Sequence, residues 1–203
     1  MKLYQTGATP SCRRVSIFLK ELGVEVPRVE INVREGDNLT DEFLARSVNG
    51  KVPMLELATG ETLCESVAIC RYFDASYPND LHLFGANPLA KAEVEMWHRV
   101  VEFQGLYTAF QAFRNITGFY ADREHCVEEW GHESKKRVNE FLPVLEKQLS
   151  QHDFVAGNAF TIVDITAFLF IGFCINGLKI EVLEDYEAIR LWFEEISKRP
   201  SFN

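Results

Sequence analysis

The chain has 203 residues, of which 47% are hydrophobic and 25% charged; this fits one large or two small globular domains and excludes a disordered chain. A formal net charge of -9 argues against a nucleic-acid-binding protein, which needs a basic footprint. The most apolar run, Ile165 to Ile175, is shorter than the roughly 18 residues of a membrane span, and the N-terminal residues hold no signal-peptide core. Cys12, Cys64, Cys70, Cys126 and Cys174 form no CxxC pair and fit reduced thiols better than a disulfide framework, so a cytoplasmic protein without membrane association is expected.

The first third mixes strand and helix signals. Lys2 to Thr6 and Val26 to Val33 read as short strands. Between them Val15, Phe18, Leu19 and Leu22 recur at i, i+3, i+4 and i+7, one face of a helix that ends at Gly23. The spacing predicts a parallel βαβ unit. A short helix follows over Thr40 to Arg46. Pro53 to Leu57 and Thr62 to Leu63 flank Thr59-Gly60-Glu61 as a hairpin, and residues 66 to 76 are helical. The order is β-α-β-α-β-β-α over residues 1 to 77.

Residues 78 to 87 lie in a stretch rich in Pro, Asn, Asp and Gly and are read as a linker to an all-helical domain over residues 88 to 203. Its helices are expected at Leu89 to Thr117, Arg123 to Leu149, Phe160 to Asn176 and Tyr186 to Lys198. In the first, Met96, Val100, Phe103, Tyr107 and Phe110 form an apolar stripe read as core or subunit interface. Thr161 and Asp164 stand at capping-box spacing, with Phe160 and Ile165 placed as a hydrophobic staple, a folding signal. His125, Glu129 and His132 fall at i, i+4 and i+7, but their charged surroundings read as a solvated helix surface, and no metal is expected.

Three stretches carry candidate chemistry. In "TPSCRRVSIFLKELG", Thr9 before Pro10 reads as a helix N-cap; the same hydroxyl could instead donate to a thiolate lying at the helix dipole. "NGKVPMLE" reads as a loop entering an edge strand. In "LCESVAICRYF", Ser66 reads either as an N-cap or as a hydroxyl that binds a carboxylate beside an ammonium held by Glu65.

In that order and spacing the three stretches resemble the N-terminal domain of cytosolic glutathione transferases, bacterial theta-, delta- and nu-like members in particular, and the helical half extends the likeness over the whole chain. The resemblance implies a thioredoxin-like α/β domain joined to an all-α bundle. It implies an enzyme of detoxification type that activates the glutathione thiol for attack on a small electrophile or a disulfide, with glutathione-dependent disulfide reductase or peroxidase activity as a companion. The alternative is a non-catalytic partner-binding or regulatory protein on the same scaffold.

Carried over by position, Thr9 takes the place of the catalytic hydroxyl. Val52, before a family cis-proline at Pro53, pairs its backbone with the cysteinyl part. Glu65 and Ser66 hold the γ-glutamyl end, and Asn38 with Lys51 meets the glycyl carboxylate. Two departures stand out: Thr replaces the usual Ser at position 9, and Ser11 replaces a Pro, adding a second hydroxyl. Cys12 matches a structural, inward-facing cysteine of the family motif and is the third candidate for activating the sulfur. Tyr107, Phe110, Phe113 and Arg114 are expected to line the pocket of the second substrate, and the family implies a homodimer.

Overall fold

A computed structural model describes all 203 residues, Met1–Asn203. The chain separates into two compact units, Met1–Leu81 and His82–Asn203. The first holds four short strands, β1 (Lys2–Gln5), β2 (Arg28–Glu30), β3 (Met54–Glu56) and β4 (Thr62–Cys64), in the order β2-β1-β3-β4. β1 and β2 are parallel, with Leu3 opposite Arg28; β3 runs antiparallel to β1 with Leu55 opposite Leu3, and β4 antiparallel to β3. A parallel pair needs a crossover, and α1 (Pro10–Leu22) supplies it by burying Val15, Phe18 and Leu19. Gly23 ends the helix at φ 67°, a left-handed conformation that a side chain would resist.

Side-chain alternation along the strands divides the apolar residues between two faces. Leu3 and Leu55 share the side of α1 and α3 (Ser66–Ser76), which buries Ile69, Cys70 and Phe73. On the opposite face Tyr4 and Met54 pack on Phe43 of α2 (Asp41–Leu44), with Val52 and Cys64 against them. The predicted second strand shortens to three residues. Pro27 has no N–H to donate, and the Asn32 side chain accepts from Arg34 and Glu35 in a local turn that competes with pairing. α2 is likewise shorter than predicted, with the Thr40 hydroxyl capping it by accepting from the Phe43 N–H.

The second unit is helical: α4 (Pro88–Val100), a π-helical segment (Val101–Tyr107), α5 (Thr108–Thr117), α6 (Glu128–Leu149), α7 (Ile162–Leu178), α8 (Val182–Asp185) and α9 (Glu187–Ser197). Residues 88 to 117 form the continuous helical run expected, but the predicted stripe is not its core face. Met96, Phe103 and Tyr107 are more than half exposed, whereas Val94, His98, Val101, Gly105, Leu106, Ala109 and Ala112 are buried. Two causes combine. The stripe starts out of register, with Met96 exposed between buried Val94 and His98, and the wider π turn then shifts the buried register by about one residue after Val101. The buried face is also made of small residues: a Cβ added to Gly105 would lie 3.1 Å from Phe141 and 3.2 Å from Phe170.

α6 begins at Glu128, not Arg123. Gly118 ends α5 at φ 62°, and the Asn115 side chain accepts from the Val127 N–H at 2.8 Å, so the chain turns before the helix starts. α7 is buried along most of its length and opens on a complete Thr161–Asp164 capping box. Phe160, the expected staple, packs its ring on Phe154 and Phe202. No helix is long and apolar enough to cross a membrane.

Candidate active site

Thr9 has extended backbone angles and stands at the N-cap position of α1, yet its hydroxyl makes no capping bond. It donates instead to the Thr6 carbonyl at 3.0 Å. Position 9 therefore offers a hydroxyl at the positive end of a helix dipole, bonded to the neutral Thr6 carbonyl and also engaged with the Cys12 thiol behind it. The approach to it is tied down by neighbours. Thr6 donates its hydroxyl to the Ile31 carbonyl at 2.5 Å, and the Glu30 carboxylate accepts from the Gly7 N–H at 3.2 Å and the Gln5 amide at 2.6 Å. Arg28 in turn donates to Gln5 and Ser16.

Ser11 is half-buried in the first turn of α1. Cys12 faces inward with no exposed surface, and its sulfur accepts from the Thr6 N–H at 3.4 Å. Burial pushes its thiol up, against the opposing pull of hydrogen bonds from the Thr9 side chain and the Thr6 backbone. A buried thiol kept protonated is a poor nucleophile, so its surroundings speak against Cys12 as the reacting group.

The second stretch is a tight loop. The Ser47 hydroxyl accepts from the Gly50 N–H at 3.0 Å, and Gly50 has φ 61°. The Asn38 side-chain amide donates to the Gly50 carbonyl at 2.6 Å, and its own carbonyl oxygen is buried. Asn38 thus holds the loop from beneath, with its donor group engaged on backbone. Lys51 is exposed, and its N–H is held by Asn49 Oδ1 at 3.1 Å. The Val52-Pro53 peptide is cis, Pro53 is buried, and the Val52 side chain packs on the Tyr4–Phe43–Met54 cluster.

At the third stretch the expected cap moves by one residue. Glu65, not Ser66, is the N-cap of α3, and Ser66 is its first helical residue. Glu65 has φ 67° and ψ 115°, a conformation that non-glycine residues adopt at a penalty and that concentrates at functional sites. Its carboxylate accepts from the Asn49 side-chain amide at 2.7 Å. Ser66 is buried, and its oxygen accepts from Arg14 of α1 at 2.7 Å. The structure therefore ties the Lys51 loop to Glu65 through Asn49, and the Thr9 helix to Ser66 through Arg14.

Residues 8–76 match the family model of the glutathione S-transferase N-terminal domain, and residues 112–200 that of the C-terminal domain. Glutathione S-transferase 2 of Saccharomyces cerevisiae is 32% identical over 99% of this chain and 87% of its own length. A glutathione S-transferase of class Gtt2 from Vibrio parahaemolyticus is 63% identical over 100% of this chain and 96% of that one, with a TM-score of 0.91. The chain belongs to the glutathione S-transferase family. A glutathione S-transferase domain-containing protein of Marinobacter aquaeolei has the same fold at 28% identity, with a TM-score of 0.95 and full coverage of both chains.

In this transferase the helical candidates form their own group. Phe110 and Phe113 meet Phe173 edge-to-face at centroid distances of 4.9 and 5.4 Å, and Phe113 also meets Phe119 at 5.6 Å. Arg114 pairs with Glu124 at 2.7 Å and lies over the Tyr120 ring, so its charge is engaged locally. His125 precedes α6, which breaks the spacing read for His125, Glu129 and His132; His132 pairs with Glu128 at 3.4 Å. Sequence reading missed Asn49 and Arg14. An Asn-Gly turn marks the first only as a loop residue. The second had a usable signal, a charge four residues before Phe18 on the buried face of α1.

Proposed function

We propose that this glutathione S-transferase takes the glutathione sulfur at Thr9 and the rest of the tripeptide along Lys51 to Ser66. The observation that carries the reading is the Thr9 hydroxyl, set at the start of a 13-residue helix without serving as its side-chain cap. Turning from the Thr6 carbonyl to a thiolate, that hydroxyl exchanges a neutral acceptor for a charged one and makes a stronger bond. Lowering a thiol pKa from about 8.5 by two units needs roughly 2.7 kcal/mol. A hydrogen bond to a charged group contributes about 1.5–3 kcal/mol and the helix terminus about 0.3–1 kcal/mol, so the two suffice. The thiol proton passes to solvent, the sulfur lone pair forms the bond to the electrophilic carbon, and the leaving group departs with its electron pair.

The backbone of Val52, ahead of Pro53, pairs with the cysteinyl residue. Glu65 holds the γ-glutamyl ammonium and Ser66 its carboxylate. Lys51 meets the glycyl carboxylate, with Asn38 acting through the loop it supports. Phe110 and Phe113, which both meet Phe173, supply apolar surface for the second substrate, and the exposed Tyr107 adds to it. The division into residues 1–77 and 88–203, a theta-, delta- or nu-like subclass and a cytoplasmic location belong to the same reading. So does disulfide reductase or peroxidase chemistry, in which the same thiolate attacks sulfur or oxygen and expels a thiolate or alkoxide, and a second glutathione thiol then completes the reduction to glutathione disulfide. A homodimer is supported by the exposed Met96 and Phe103 and is checked by sedimentation equilibrium.

The test is an ultraviolet titration of the thiolate of bound glutathione. In the unaltered protein the thiol ionises one to two pH units below its free value, about 8.5. Thr9→Ala removes most of that shift, and Ser11→Ala keeps it. Absence of a shift in the unaltered protein sinks the reading, and loss in Ser11→Ala alone moves the role to Ser11.

A further inference from the structure

We infer that Arg14 is a positioning residue for the γ-glutamyl carboxylate, acting through Ser66. This rests on the reading that Ser66 holds that carboxylate. Arg14 is 3% exposed and Ser66 4% exposed, so the bond between them, NH1 to Oγ at 2.7 Å, lies out of water. A serine hydroxyl has one proton and two lone pairs. With the guanidinium on a lone pair, the proton cannot point at Arg14 and is turned to the other side of the oxygen. A carboxylate that accepts this proton then lies one hydroxyl away from a fixed positive charge, and the N-terminus of α3 adds its own dipole. The donor chain guanidinium to hydroxyl to carboxylate polarises in one direction, each bond strengthening the next.

The geometry also gives Arg14 a reach that no residue of the Glu65–Ser66 stretch has. It sits on α1, one helical turn beyond the segment that starts at Thr9, and grips the first residue of α3. The distance between the thiol end and the γ-glutamyl end of the site is thereby set by a bond between two helices. Guanidinium is suited to this: it stays charged at any working pH and presents several donors from a rigid plane.

The experiment compares two ligands: glutathione, and 4-aminobutyryl-cysteinylglycine, which is glutathione without the γ-glutamyl α-carboxylate. Kd is measured for each by calorimetry on the unaltered protein and on Arg14→Met, Arg14→Lys and Ser66→Ala, with kcat and KM for glutathione alongside. The unaltered protein prefers glutathione by about ten- to hundredfold, the range of a charge-assisted hydrogen bond. Arg14→Met loses most of this preference by weakening glutathione alone. It raises KM while kcat stays within about twofold, and Arg14→Lys recovers part of the preference. Combining Arg14→Met with Ser66→Ala adds nothing to the loss seen in Ser66→Ala.

Equal weakening of both ligands by Arg14→Met gives Arg14 a structural role only and overturns the inference. If Arg14→Met does not fold, Arg14→Lys carries the comparison, and an unchanged preference in Arg14→Lys together with an undiminished one in Ser66→Ala overturns it too. If the unaltered protein shows no preference for glutathione, the placement of the carboxylate at Ser66 fails, and the inference with it.

Discussion

Asp164 sets two electrostatic effects against each other, and pH decides between them. Its carboxylate accepts from the N–H groups of Val155 and Thr161 at 2.9 Å each, from the Thr161 hydroxyl at 3.2 Å and from Trp192 Nε1 at 3.3 Å. All four bonds favour the ionised form. Complete burial opposes them and pushes the carboxyl up to about 6 from an ordinary 3.8. The folded state then holds the proton more tightly than the unfolded chain. Stability contributed by this group is fully present below about 3.8 and is lost as pH rises through about 6. Two pH units correspond to about 3 kcal/mol, a large fraction of a net stability of about 5–15 kcal/mol.

Asp164→Asn keeps the shape and one acceptor oxygen but cannot titrate. Urea unfolding of both proteins, followed by tryptophan fluorescence from pH 4 to 7.5, gives the difference in unfolding free energy at each pH. The margin of the unaltered protein over Asp164→Asn should shrink by about 2.5 kcal/mol across that range. A margin that is flat or that grows with pH refutes the reasoning: flat means that the four hydrogen bonds cancel burial, and growth that they outweigh it.

Two further outcomes follow from the same geometry. Gly131→Ala improves helix propensity by about 1 kcal/mol, but the new Cβ would stand 2.8 Å from Ile116 Cγ1 and 2.9 Å from the Ile116 nitrogen where α5 meets α6. Backbone cannot yield as a flexible side chain can, so the melting midpoint should fall, by about 1–3 kcal/mol in stability; a rise would mean the two helices separate freely. Asn49→Asp replaces the donor that meets Glu65 at 2.7 Å with a second carboxylate. In this partly solvated loop the repulsion is about 1 kcal/mol, so KM for glutathione should rise about fivefold at low salt with kcat unchanged, and the rise should fade in 1 M salt. An unchanged KM would remove Asn49 from the support of Glu65.

Much of the fold was legible because its signals are short-range. Val15, Phe18 and Leu19 report a buried helical face within five residues, and Gly23 reports its end. Thr161 and Asp164 announce a helix start across three residues, and the structure forms both of their bonds. The hairpin around Gly60 is equally local, with Leu57 accepting from the Gly60 N–H and donating to the Glu61 carbonyl. Where the core alternative for the helical stripe failed, distant residues had intervened. The stripe from Met96 to Tyr107 follows large apolar side chains, whereas the buried face carries the small Gly105, Ala109 and Ala112, and Gly105 lets Phe141 and Phe170 approach.

The site divides in the same way. Thr9, Val52-Pro53, Glu65 and Ser66 of the proposed site were legible as residue types in order along the chain, but each stretch alone also reads as a cap or a loop, and the roles came from the resemblance of all three to the family. Which of them carries the cap of α3 was not legible, since the backbone of Glu65 at φ 67° is held by its surroundings and no local propensity favours it. Nor were the partners. Arg14 and Ser66 are 52 residues apart, and Asn49 and Glu65 are 16 apart. Sequence by itself determined the elements, their order and the chemistry available at their ends, all set by interactions within a helical turn or a hairpin. Tertiary structure alone decided which charges are buried, which hydroxyls are oriented and by whom, because desolvation and hydrogen-bond direction exist only once distant segments have closed over one another.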